Sequence, residues 1–235
     1  MGNIEFYGIK DEYEKIYKEE LAQCEIPDNA HIINEFTQMN MKNTVLFTLP
    51  IITIIMTIVV IKQIKDGFFN KEIRKEIQEE NIKKHNLDTN KKKIKFAFKN
   101  FLKVYIALFL FMCSITLIHE YLHAIPCAIM GYNMKIAIGF PVGASTWVLE
   151  DMTKLQTLIF SLTPCIILGI IPAIIVITMK ITKKNYLINW IMALICCIMF
   201  FSCGYDIINS FNTFKNIPNG AYVGQKDNIY YWYNK

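Results

Sequence analysis

Four long apolar runs alternate with polar stretches along the chain, and they cover residues 44–61, 104–124, 155–179 and 186–203. A helix needs about 20 apolar residues to cross the ~30 Å hydrocarbon core of a bilayer, and each run has or nearly has that length. The pattern therefore predicts an all-α fold, a polytopic membrane bundle of about four transmembrane helices. We assign this bundle to a single domain, residues 43–235.

The segment before the first apolar run, residues 1–42, is acidic and polar. Within it Tyr13, Ile16, Tyr17 and Leu21 recur at spacings of three and four between charged residues. This spacing predicts a short N-terminal amphipathic helix. The first apolar run lacks the small-residue cleavage site of a signal peptide, so we expect it to remain as a membrane anchor.

The loop between the second and third runs, residues 131–154, carries helix-breaking residues at Gly139, Pro141 and Gly143. They exclude a regular helix here and favour either a hairpin or a re-entrant segment. After the fourth run the chain is polar and ends in an aromatic cluster at residues 230–233. Aromatic rings with one polar edge are favoured at a membrane–water interface.

The charges are distributed unevenly between the loops. Residues 62–103 carry thirteen Lys/Arg against six Asp/Glu, whereas residues 1–42 carry four Lys against nine acids. Three more lysines lie in the short loop 180–184. Because Lys/Arg-rich loops stay in the cytoplasm, we expect a multi-pass protein of the cell membrane with loops 62–103 and 180–184 cytoplasmic. The N-terminus, the loop 131–154 and the C-terminus would then share the other side.

The overall composition fits this class, since the chain is 53% hydrophobic with a formal net charge of +5 and a mean hydropathy of +0.28. A lysine-rich stretch can attract nucleic acid, but this one directly precedes a span, so anionic lipid headgroups explain it more simply. We expect the lipid bilayer as a partner and no nucleic acid. The seven cysteines contain no CxxC pair and are interpreted as small apolar side chains of the bundle.

The second apolar run contains the unusual sequence LIHEYLH at residues 117–123. In a helix His119 and His123 lie one turn apart on one face, and Glu120 lies about 100° around from His119. Two neutral imidazoles at this spacing bind Zn²⁺, and an unligated glutamate beside them accepts a proton from the metal-bound water. The alternative is a hydrogen-bonded polar group in the core, but ionisable residues within a span are mostly functional.

A catalytic zinc site needs a third protein ligand. After residue 104 the acids are Glu120, Glu150, Asp151, Asp206 and Asp227. His119 lies about 22 Å along its helix from Val104, and Asp206 lies about 30 Å from Tyr186, so both approach the same leaflet. We therefore predict Asp206 as the third ligand; the alternative is a helix-capping or interfacial aspartate.

These features together resemble a known family. The sequence LIHEYLH at the end of a span, the Gly/Pro-containing loop, LTPCIILGIIP in the third span and GYDIIN after the fourth are similar to the small bacterial "putative zincin peptidases". That family is distantly similar to the site-2 type intramembrane metalloproteases. The resemblance covers about residues 97–228, and it implies a membrane-embedded zinc peptidase. It also implies His119 and His123 as metal ligands, Glu120 as the general base and Asp206 as the later aspartate.

The predicted function is hydrolysis of peptide bonds in a membrane-associated protein or peptide by a zinc-activated water. One alternative is a metal-binding transporter or sensor, although four runs without an internal repeat argue against a transporter. Another is an inactive protease relative that only binds partner helices. Metal analysis and metal-uptake assays distinguish these alternatives from the peptidase.

Overall fold

The computed structural model describes residues 2–7, 19–20, 22–33, 39–139, 143–226 and 229–235. Its α-helices are α1 (Met39–Lys62), α2 (Lys71–His85), α3 (Asn90–Ile129), α4 (Lys154–Pro164), α5 (Ile171–Thr178), α6 (Tyr186–Ser202) and α7 (Gly204–Asn216). Two π-helical turns, Gln63–Phe68 and Cys165–Ile170, follow α1 and join α4 to α5. The strands are β1 (Ile4–Tyr7), β2 (His31–Ile33), β3 (Met134–Gly139), β4 (Gly143–Val148), β5 (Met152–Thr153), β6 (Tyr222–Lys226) and β7 (Ile229–Tyr233).

Each of the four apolar runs is helical over almost its whole length. Among the residues that the structure describes, two helices are long and apolar enough to cross a membrane, Asn90–Ile129 and Lys154–Thr178. A third candidate is the pair α6 and α7, which is bent by 56° at the break between its halves. Helix α1 contains the first run, but the side chains of residues 39–48 lie outside the described part. Four spans therefore remain a prediction.

The prediction of an all-α fold is wrong in one respect, because the chain also forms two β-sheets. One has the strand order β1-β3-β4 and the other the order β2-β7-β6-β5. Strands β3 and β4 pair antiparallel, which confirms the hairpin interpretation of the loop 131–154. In β3 the apolar residues alternate, and Met134 and Ile136 are both fully buried. The aromatic cluster at residues 230–233 belongs to β7 and pairs with β6.

The sheets join three distant parts of the chain at one end of the helices. Strand β1 pairs parallel to β3, β2 pairs with β7, and β5 pairs with β6. These are the N-terminal segment, the loop 131–154 and the C-terminal tail, the three parts that the charge pattern assigns to one side. The side of the membrane that they occupy stays a prediction. The predicted amphipathic helix, with Tyr13, Ile16, Tyr17 and Leu21, lies outside the described residues.

The basic segments meet at the opposite end. Lys183, in the loop after α5, forms an ion pair of 2.5 Å with Glu80 of α2, and this lysine lowers the pKa of the Glu80 carboxyl. Lys62 at the end of α1 donates a hydrogen bond of 2.8 Å to the carbonyl of Ile177. Loops 62–103 and 180–184 therefore lie together, as the charge pattern predicts, and their cytoplasmic location stays a prediction.

Two apolar clusters hold the helices and sheets together. The first lies within the helix bundle, where Val59 of α1, Val176 of α5 and Met199 of α6 are almost completely buried. The second lies where α3 meets the sheets, and it packs Ala124 and Cys127 against Met134, Ile136 and Met152. The LIHEYLH segment lies between these two clusters along α3.

Candidate metal centre

Helix α3 presents His119, Glu120 and His123 to the interior of the protein, and their exposed fractions are 6%, 9% and 4%. Thr89 caps the start of this helix, and its hydroxyl accepts a hydrogen bond from the backbone N–H of Lys92. The helix then continues without a break for 40 residues. Because the two histidines are four residues apart, their rings lie on the same face, with centroids 4.8 Å apart.

Asp206 reaches the histidines because of the bend between α6 and α7. Helix α6 ends at Ser202, and α7 begins at Gly204 in a direction 56° away. Asp206 lies in the first turn of α7, where a carboxylate also interacts favourably with the helix dipole. The alternative of a side-chain cap does not apply, since Cys203 occupies the capping position.

Three donor atoms converge at this place. Asp206 Oδ2 lies 3.2 Å from His119 Nε2 and 3.6 Å from His123 Nε2, and the two Nε2 atoms are 3.1 Å apart. A tetrahedral zinc ion with bonds of about 2.0–2.1 Å to nitrogen and oxygen separates its ligands by about 3.3 Å. The three observed distances lie on both sides of this value. The three donor atoms belong to the residues that the sequence predicts as ligands. The donor set therefore fits zinc.

The carbonyl oxygen of Phe160, on α4, fixes the orientation of His123. It lies 2.6 Å from Nδ1 of His123, so Nδ1 carries the proton and Nε2 presents its lone pair to the triangle. Helix α4 is itself held at its start by a reciprocal capping box, in which Thr153 and Gln156 bond each other's backbone N–H. The Phe160 ring also packs on the His123 ring, with centroids 4.8 Å apart.

Cys203 offers a competing arrangement. Ligand atoms of His119, Cys203 and Asp206 all lie within 4.8 Å of one another, which is the looser spacing. Cys203 Sγ contacts Nδ1 of His119 at 3.6 Å, on the opposite side of the ring from Asp206 and His123. One ion cannot bind both ring nitrogens, and Cys203 is fully buried. In the triangle with His123, Nε2 of His119 faces the other two donors, and Nδ1 of the same ring contacts the thiol of Cys203.

A cavity of about 490 Å³ gives access to the centre, and its wall includes His119, Glu120, His123 and Asp206. Glu120 is not a corner of the triangle: within the described part of the chain, the ion pairs of both histidines are with Asp206. Its backbone carbonyl accepts a hydrogen bond of 3.2 Å from the hydroxyl of Thr146 on β4. The side chain of Glu120 lines the same cavity as the three corners of the triangle.

Comparison with known proteins addresses the same part of the chain. Residues 110–222 match the family model "Putative zincin peptidase". The resemblance predicted from the sequence is confirmed over these residues, which we call the zincin-family segment. No curated protein and no solved structure matches the chain.

The zincin-family segment contains each predicted site residue, namely His119, Glu120, His123 and Asp206. The structure brings all four together around one cavity, while their roles in binding and catalysis stay predictions. Of the other acids considered from the sequence, Glu150 also lines this cavity but accepts a hydrogen bond from Asn133. Asp151 accepts a hydrogen bond from Tyr231, and Asp227 lies outside the described residues.

Three groups that contact the predicted site residues do not follow from the sequence. They are the carbonyl of Phe160, the thiol of Cys203 and the hydroxyl of Thr146. A backbone carbonyl has no residue signature, so no sequence signal identifies the first. Cys203 lies three residues before Asp206, and this proximity to a predicted ligand is the sequence signal that points to it, although its apolar surroundings predict only packing. Thr146 shows no signal before the hairpin is known.

Proposed function

We propose that the chain is a membrane-embedded zinc metallopeptidase that hydrolyses a peptide bond of a membrane-associated protein or peptide. The observation that carries this proposal is the triangle of His119, His123 and Asp206 on the wall of a cavity that also contains Glu120. Three protein ligands with an open side towards a cavity are typical of catalytic rather than structural zinc sites.

His119 and His123 would hold the ion through Nε2, and Asp206 through Oδ2. Zinc bound there supplies a water molecule of lowered pKa and an electrophile for the carbonyl oxygen of the substrate. The Glu120 carboxylate would accept a proton from the attacking water and would return it to the nitrogen of the departing amine. Phe160 keeps His123 in the tautomer that the ligand role requires.

Strand β4 offers a place for the substrate backbone beside Glu120. It stands at the end of the sheet order β1-β3-β4, and its residues Thr146, Trp147 and Val148 line the cavity. An extended peptide binds to the edge of a sheet through main-chain hydrogen bonds, which do not depend on its sequence. This supports a peptide, in extended form, as the substrate of the cavity.

A membrane environment is supported by the two long apolar helices and by their surfaces. On α3, Val104, Tyr105, Phe109 and Leu110 are each more than half exposed. A water-soluble protein rarely exposes so continuous an apolar surface, whereas lipid is its natural neighbour. The lipid bilayer is therefore the expected partner of these helices.

The proposal is tested by Glu120→Gln in proteoliposomes, with fluorescently labelled casein as an unfolded substrate. Loss of the proton acceptor should lower the cleavage rate by about 10²–10⁴-fold. Zinc content should stay at the wild-type value, because Glu120 is not a ligand. The matched control is Glu79→Gln, an exposed glutamate of α2 that pairs with Lys75, and it should cleave at the wild-type rate. An equally active Glu120→Gln variant would contradict the assigned base.

A further inference from the structure

We propose that the metal centre lies at the level of the membrane surface, on the side of the sheets. Its substrates are then peptide bonds in extended segments that adjoin the end of a transmembrane helix, not bonds in the middle of the bilayer. This inference rests on the proposed peptidase function and adds the location of the bond to it. Four observations support it.

The first observation is the position of the site along the spans. Lys103 is the last basic residue of α3 before the apolar run, and His123 lies 20 residues after it, about 30 Å along the helix. This equals the thickness of the hydrocarbon core. In the other long apolar helix, Lys154–Thr178, Phe160 contacts His123. Phe160 lies 18 residues before Thr178, about 27 Å from the basic end of that helix. The lengths of two helices therefore independently place the site at the boundary of the hydrocarbon core that is opposite the basic loops.

The second observation is the bend before Asp206. Helix α6 has 17 residues, about 25 Å, and the chain then turns by 56° into α7. A helix that continued straight would leave the bilayer within a turn or two. The bend instead directs α7 away from the span direction at the level where the other two helices reach the boundary. Asp206, in the first turn after the bend, lies at that level too.

The third observation is the reversed surface pattern of α7. Its buried residues include Ser210, Asn212 and Thr213, which are polar, while Phe214 is 67% exposed and Tyr205 is 49% exposed. Water on the outside of this helix would favour the opposite arrangement. Lipid at the interface, where aromatic rings are favoured, explains why Tyr205 and Phe214 face outward. The exposed face of α7 therefore fits a bilayer surface as its partner.

The fourth observation is the composition of the cavity wall. One side is formed by the helices, and the other by the sheets, through Thr146, Met152, Val223 and Tyr230. Open sheet edges are not tolerated in hydrocarbon, because their backbone groups have no hydrogen-bond partners there. The sheet side of the cavity must therefore lie in water or among headgroups. A substrate peptide also unwinds at lower cost there, since water satisfies the backbone groups that unwinding exposes.

The depth is measured by spin labelling in vesicles of phosphatidylethanolamine and phosphatidylglycerol, independently of any activity. In a background with the half-buried Cys24, Cys113 and Cys197 replaced by alanine, single cysteines are introduced at Phe214 and at Ile159, which is 39% exposed beside Phe160. Leu110→Cys on α3 is the deep control, and Asp28→Cys in the exposed turn before β2 is the water control. Collision with oxygen and with a nickel chelate reports the depth of each label.

Labels at positions 214 and 159 should both report depths between the two controls, close to the lipid phosphates. Depths equal to that of Leu110→Cys would overturn the proposal, because the centre would then lie inside the hydrocarbon. A position-214 label as accessible to the nickel chelate as Asp28→Cys would also overturn it, since α7 would not contact lipid. The second label at position 159 keeps the test valid if the change at Phe214 disturbs α7.

The substrate part is tested with two single-span peptides of equal composition in the same vesicles. One carries a flexible Gly/Ser segment next to the helix end on the side of the sheets, and the other carries it at the helix midpoint. Cleavage of the first alone supports the proposal, and cleavage of the second at its midpoint overturns it. If neither peptide is cleaved while the labels report the boundary depth, the peptidase function fails and the location stands.

Discussion

Lys154 links the start of one helix to the end of the helix that carries Asp206, and its replacement by methionine should destabilise the protein. Its side chain is buried, with an exposed fraction of 7%. The Nζ atom donates to the carbonyl oxygens of Phe214 and Ile217 at 2.9 and 2.5 Å, and to Oδ1 of Asn219 at 3.1 Å. A cation at this position also complements the negative end of α7.

The expected cost follows from these contacts. Methionine keeps the apolar stem of Lys154 but leaves three acceptors without their donor, and an unsatisfied buried acceptor costs about 1–3 kcal/mol. Removal of a buried charge offsets part of this loss, so we expect a net loss of about 2–4 kcal/mol in the free energy of unfolding. For a chain of this size the apparent Tm should fall by roughly 4–16 °C.

Thermal unfolding in detergent, followed by circular dichroism or by thiol exposure, measures this change. The matched control is Lys215→Met, which removes the same charge from the last turn of α7 at an exposed position. Substitutions of that kind usually change stability by no more than about 0.5 kcal/mol. Lys154→Met should also release zinc faster to a chelator than wild type does, because α7 carries Asp206. A Tm equal to that of the control would refute the assigned role of Lys154.

Two further predictions concern other parts of the chain. Gln63 and Asn189 form a buried side-chain pair between the first π-helical turn and α6. Gln63→Leu or Asn189→Leu alone should lower the free energy of unfolding by about 1–2 kcal/mol. In thermal unfolding the double variant should lose less than the sum of the two single losses. Purely additive losses would contradict the pairing. Burial and the neighbouring Asp151 raise the pKa of Tyr233 from its usual value of 10.0 to about 12. The folded state therefore holds the phenol proton more tightly than the unfolded state does. The resulting stabilisation is complete below pH 10 and should be lost as the pH rises to about 12. Tyr233→Phe should reduce this alkaline loss in stability measurements, and an unchanged pH profile would contradict it.

The helices could be predicted from the sequence because hydrocarbon leaves the backbone few alternatives. A run of about 20 apolar residues satisfies its own peptide groups only as a helix or in a closed barrel, and the runs at 104–124 and 155–179 lie in the two long apolar helices. The sheets could not be predicted in the same way. Their strands have two to six residues, and β1 and β3 pair across 130 positions, as Ile4 and Met134 do. Local alternation does not identify such distant partners.

Part of the candidate site could likewise be predicted from the sequence, and part of it could not. The spacing of His119 and His123 predicts their shared face, and the helix rise predicts that Asp206 lies in the same leaflet, because both depend on regular helix geometry. The contact between Cys203 and His119 depends instead on the 56° bend between α6 and α7, and the contact of Phe160 depends on how α4 packs on α3. Bends and packing arise from tertiary structure, so neither contact follows from the sequence alone.

The coordination of zinc by His119, His123 and Asp206 is the central claim, and metal analysis of the detergent-purified protein tests it most directly. Wild type and Cys203→Ala should each contain about one zinc ion per chain. His123→Ala and Asp206→Ala should each lose it while keeping the helical circular-dichroism spectrum of the wild type. Zinc retained in Asp206→Ala, or lost in Cys203→Ala and kept in His123→Ala, would contradict the proposed centre.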